Sequence, residues 1–181
     1  MRDGSADPDG PPRAFIIAAL LLAVIAVGAI LAVAASRRTP TAPVAIAAVP
    51  APQSRSPECR SLVATLPDRL GVYTRAIAAE PVPDGTAAWR DSADAADPVI
   101  MRCGLNRPAE FVVGSPLQMV DDVQWFRIDE TDIQRSTWVA VDRPVYVAVT
   151  LPMGSGPTPI QALSEVIART MPAMPTRPGP N

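Results

Sequence analysis

The side chains able to do chemistry in this chain are few, and the commonest of them are missing. Among 181 residues there is no His, and every basic residue is Arg. That removes the usual general base, a frequent metal ligand and any hydrolytic triad built on imidazole. Without Lys, neither a Ser-x-x-Lys pair nor the lysine of a phosphate-binding loop is possible. Carboxylates, hydroxyls, indoles and two thiols remain. Asp121 and Asp122 would serve acid–base chemistry only if they shared a cleft. Neighbours in a strand point to opposite faces, so the pair reads as a turn. Asp129-Glu130-Thr131-Asp132 offers carboxylates to a cation but lacks the spacing of a calcium loop, and reads as a solvated turn. The stretch from Met153 to Gln161 (MGSGPTPIQ) runs into a helix start, where anions are favoured, yet it reads as a linker plus cap. Trp89, Trp125 and Trp138 suit either a sugar-binding surface or the anchors of a core poor in aromatics. Ser61, Ser92, Ser155 and Ser164 have no identifiable base. The sequence therefore assigns no catalytic residue, no cofactor site and no metal site.

The two thiols carry the clearest signal. Cys59 and Cys103 are the only cysteines. Ser56-Pro57 is a helix start, with Ser as N-cap and Pro at the first helical position. Cys59, Leu62, Val63 and Leu66 then share one apolar face, and Pro67 ends the helix. Cys103 ends an apolar strand, Pro98 to Gly104. Both cysteines thus face a core, and the sequence predicts a Cys59–Cys103 disulfide, against the alternative of two buried thiols in a cytosolic tail. Disulfides persist outside the cytosol.

Around these residues the chain divides by composition. Residues 1–14 are rich in Asp, Pro and Gly and read as a disordered cytoplasmic head. Residues 15–35 (FIIAALLLAVIAVGAILAVAA) hold no charge and match a bilayer in length, so they predict a single transmembrane helix in contact with lipid. An A-x-A match at Ala32–Ala34 keeps a cleaved signal peptide open as the alternative. Arg2 and Arg13 before the span balance Arg37 and Arg38 after it, so the cysteines decide orientation: a single-pass protein of the cell membrane with its C-terminal domain extracytoplasmic. Residues 36–56 form a Pro/Ala-rich linker expected to act as a stalk.

Residues 57–172 read as one α+β domain. Strands are predicted at Gly71–Ala79, Thr86–Arg90, Pro98–Gly104, Phe111–Val113, Leu117–Val120, Val123–Ile128, Thr137–Val141 and Val145–Leu151. The last alternates strictly, with Val145, Val147, Val149 and Leu151 on one face. Asp142-Arg143-Pro144 is a tight turn. Thr158 to Gln161 reads as a capping box opening a helix with Ile160, Leu163, Val166, Ile167 and Met171 in one stripe. The expected architecture is a small antiparallel sheet with two helices packed on one face and one disulfide. Residues 173–181 are expected to be disordered.

Four motifs carry a resemblance: the Cys helix ending in Leu-Pro (Cys59 to Pro67), Ala87-Ala88-Trp89, Arg102-Cys103-Gly104, and Val-Asp-x-Val-x-Trp (Val120 to Trp125) with the later Val-rich strand. On these the chain resembles an actinobacterial domain-of-unknown-function family of small secreted or membrane-anchored proteins. Asp122 stands where that pattern favours Gly. The resemblance implies an envelope protein with one span and a disulfide, and brings no activity. With a net charge of -2, nucleic acid is not an expected partner. The expected function is a non-enzymatic cell-envelope domain that binds or scaffolds a protein or glycan partner. The alternatives are a carboxylate-dependent cell-wall enzyme and a glycan-binding domain using surface Trp.

Overall fold

The computed structural model describes residues 13–36, 42–91 and 97–180. They fall into two compact units, divided after Thr41. In the first unit, helix α1 (Arg13–Ser36) carries apolar side chains that are exposed wherever described, as at Phe15, Leu22 and Ile30. The expectation of a transmembrane helix over 15–35 is corrected here: among the described residues no helix is long and apolar enough to cross a membrane. Most of the expected head, 1–12, lies outside the described residues.

The second unit is built on an eight-stranded sheet in the order β1-β2-β3-β4-β8-β7-β6-β5. Its strands are β1 (Arg69–Leu70), β2 (Tyr73–Ala76), β3 (Thr86–Asp91), β4 (Val99–Leu105), β5 (Leu117–Val120), β6 (Val123–Glu130), β7 (Arg135–Ala140) and β8 (Tyr146–Pro152). Every pairing is antiparallel. The sheet is two four-stranded meanders, β1–β4 and β5–β8, joined where β4 meets β8 with Met101 opposite Val149.

Alternation sends one set of side chains to each face. On the front face Trp89, Met101, Cys103, Trp125, Val147 and Val149 meet helices α2 (Pro57–Thr65) and α3 (Thr158–Thr170) in the main core. The Ser56 hydroxyl caps α2 by accepting from Cys59 N–H at 3.2 Å. Helix α3 buries Ile160, Leu163, Val166 and Ile167. Its start departs from the expected capping box: Pro157 is the N-cap and no side chain caps the helix. The Cys59–Cys103 disulfide joins α2 to β4, with Cα atoms 5.6 Å apart. Beside it β4 bulges at Gly104, whose φ is 85°. A Cβ there would stand 2.3 Å from the Gln53–Ser54 backbone, so only glycine lets that backbone approach.

The back face is covered by chain without regular structure. Val44 and Ile46 are buried against Ala88, and Val44 bridges to Ala78. Part of the expected stalk therefore packs on the sheet, beginning by residue 42. Toward the other end Phe111 packs with Phe126, Val139 and Val141. The expected strand Phe111–Val113 is a single bridge, Val112 to Gly179, made with the chain's last residues. That tail was expected to be disordered. Instead it lies along the domain, with Gly179 N–H donating to the Phe111 carbonyl at 2.8 Å.

Candidate functional site

On the front face α3 leaves the corner of strands β5–β8 uncovered. Here a cleft of about 540 Å³ opens between the sheet and the loop that leads into α3. Trp138 on β7 forms part of its wall, with Arg127 on β6 and Gln118 on β5. Gln161 and Ser155 close the helix side. The strand register explains the convergence: Arg127 lies directly opposite Trp138, and Gln118 opposite Trp125. All four point forward, because their strands alternate in step.

The three indoles separate here. Trp89 and Trp125 are fully buried. Trp89 Nε1 donates to the Pro67 carbonyl at 2.9 Å, and Trp125 Nε1 to the Ser164 hydroxyl at 2.9 Å. Both are core anchors, each with its single donor satisfied. Trp138 is only half-buried, with Nε1 donating to Ser136 Oγ at 3.3 Å. The Arg127 guanidinium sits 5.3 Å from its ring centre and pairs with Asp129 at 2.7 Å. A cation held over an indole in this way makes a polarised, partly apolar platform.

The helix side is set by the loop after β8. Gly154 takes φ 84°, which turns the chain back toward the sheet. Ser155 Oγ accepts from the Tyr73 hydroxyl at 3.2 Å and donates to the Pro152 carbonyl. With no side chain capping α3, the positive end of the helix lies at the cleft's edge.

The carboxylates singled out in the sequence do not gather. Asp121 is exposed at the cleft's margin, in the left-handed region with φ 49° at the β5–β6 turn. Asp122 is exposed, and its carbonyl accepts from Arg143 at 2.6 Å. Asp129 is committed to Arg127. Among the described residues no three potential metal ligands converge. Of the serines, Ser164 is buried under Trp125, Ser61 is exposed on α2, and Ser92 lies outside the described residues. Arg127 and Gln118 were not singled out in the sequence, and Gln161 only as the end of the Met153–Gln161 loop and its capping box. For Arg127 the signal was the alternation that places it two residues after Trp125, which needs the cross-strand register before it means anything.

The family is settled by comparison. A family described as "Protein of unknown function (DUF3515)" matches residues 20–176. This chain belongs to that family. The match takes in the whole sheet, both helices of the second unit and most of α1, so the Trp138 cleft lies inside the part that defines a DUF3515 protein. No curated protein and no solved structure matches the chain.

Proposed function

We propose that this DUF3515 member is a non-enzymatic, extracytoplasmic binding domain of the cell envelope, and that the Trp138 cleft is its recognition surface. The observation that carries this reading is the half-buried indole. Two of the three tryptophans are spent on the core, while the third lines an open cleft with a guanidinium and two amides around it. Aromatic and Arg side chains at the centre of a concavity are the usual anchors of a binding surface. The extracytoplasmic placement rests on the disulfide, which a reducing cytosol would not keep.

A photocrosslinking residue at Gln161 in intact cells tests this. A discrete adduct is expected from Gln161, none from Arg60 on α2, and Trp138→Ala should remove the Gln161 adduct. Equal adducts from both positions, or an adduct that survives Trp138→Ala, would contradict the proposal.

A glycan partner is the second reading, favoured by the same indole flanked by Gln118 and Gln161, whose amides both donate and accept. Titrating the Trp89→Phe/Trp125→Phe variant with soluble cell-wall glycan fragments reads Trp138 alone. A saturable change in its fluorescence supports a glycan; an unchanged spectrum leaves a protein partner.

A further inference from the structure

The two clusters that cover the back of the sheet do not meet. Val44 and Ile46 cover one part, Phe111 and its neighbours another. Between them lies a second cleft, of about 600 Å³. Its floor is sheet: Ile100 on β4, Ile128 on β6, Thr137 on β7 and Thr150 on β8. Val49 and Leu105 stand at its sides. The lining is mainly apolar, with two guanidiniums, Arg102 and Arg135, and one carboxylate, Glu130, among it.

The two arginines are not equivalent. Arg135 is held by Asp97 through two contacts, at 3.0 and 3.1 Å, and Glu130 also acts on it. Arg102 is half-buried and no carboxylate pairs with it among the described residues. Its Nε is shut away from solvent without a partner, and its Nη2 has only a long contact, 3.5 Å, to the Ala47 carbonyl. Burial, and then the like charge of Arg135, both lower its affinity for its proton. A guanidinium stays charged regardless. Arg102 is thus a partly desolvated cation with no ion-pair partner among the described residues, at the edge of an apolar trough.

We propose that this back-face cleft binds a carboxylate that carries an apolar chain, with the carboxylate on Arg102 and the chain along Ile100, Ile128 and Val49. Asp97 and Glu130 answer Arg135, and Arg102, which makes no ion pair among the described residues, suits a monoanion. The planar fork of a guanidinium suits a carboxylate, and the trough shields the pair from water. This site is separate from the Trp138 cleft, and the two stand or fall independently.

The test uses the purified full chain and a photoactivatable analogue of laurate, with crosslinks mapped by peptide mass spectrometry. Crosslinks are expected on β4 and β8 around Ile100 and Thr150. Excess laurate should suppress them, while dodecanol and dodecyl phosphate should not. Arg102→Gln should cut labelling about tenfold, the scale of losing one charge-assisted hydrogen-bonded contact. Thr137→Phe fills the floor without touching Arg102 and should also block labelling, which keeps the test decisive if Arg102→Gln does not fold. Labelling confined to α1, labelling equal to wild type in either folded variant, or suppression by dodecanol or dodecyl phosphate as strong as by laurate would overturn the proposal.

Discussion

Asp142 and Arg143 are adjacent charges taken out of water together. Both are 3 % exposed, and their side chains pair at 3.0 Å. Asp142 accepts from Gln124 N–H at 3.0 Å, and Arg143 donates to the carbonyls of Asp142 and Asp122. Met174 N–H, from the tail, donates to the Asp142 carbonyl at 2.9 Å. The pair therefore ties the β5–β6 turn, the β7–β8 turn and the tail at one point. Asp142 Oδ1 and Arg143 Nε remain without partners, so the charges are not over-satisfied. Truncating one member of such a pair leaves the other charged and buried. Arg143→Met is expected to cost about 3–5 kcal/mol, read by urea unfolding. A cost under ~1 kcal/mol would mean the pair is hydrated. In the sequence Asp142-Arg143-Pro144 reads only as a tight turn. What buries it is a segment about thirty residues away, and no local pattern reports that.

Helix α2 was legible because its signals are local. Ser56 caps it and Pro57 begins it, as the dipeptide predicts. Ser56→Ala is expected to cost about 1 kcal/mol. Glu58, in the first turn, has its pKa lowered by a hydrogen bond from its own backbone N–H, then by Ser56 and Arg60. Asp97 is lowered likewise, chiefly by its hydrogen bond from Arg135. A carboxylate whose folded pKa lies below its unfolded value stabilises the fold above the unfolded pKa and loses that contribution as pH falls through the folded one. Stability is therefore expected to decline below about pH 4, near the ordinary carboxylate pKa. The decline should be shallower in Glu58→Gln and in Asp97→Asn; slopes identical to wild type would refute the assignment. Asp97 is exposed and Glu58 is only partly covered, so each effect is small. Helix α3 was also legible, from its apolar stripe, but its capping box was not real. Pro157 sits in the helical region and takes the cap position itself. The strand expected at Phe111–Val113 failed for a different reason. Its partner is Gly179, in a Pro-rich tail whose composition gives no periodicity to read.

At the scale of the whole domain, the sheet holds because β4 and β8 join two meanders, and the Cys59–Cys103 bond pins α2 to that seam. Apolar strand patterning made β6, β7 and β8 visible one by one and placed Cys103 inward, while the helical face of α2 did the same for Cys59. The β4–β8 pairing was invisible, since it joins residues over forty positions apart and loop closure leaves no local trace. The Trp138 cleft shares that fate: it exists only once β5, β6 and β7 are in register beside the start of α3. The bond spans 44 residues, a separation at which closing the loop stabilises by roughly 4 kcal/mol on the chain-entropy model. For a domain of ordinary stability, ~5–15 kcal/mol, reduction should lower the melting temperature by well over 10 °C. An unchanged melting temperature would show the bond to be idle. The most direct measurement is the state of these two sulfurs in living cells, read by acid quenching and mass-tagging of free thiols. Cys59 and Cys103 are expected to take no tag until a reductant is added to the unfolded protein, and then to take one each. Tagging of both without reductant would place the domain in a reducing compartment and contradict an extracytoplasmic, cystine-braced binding module.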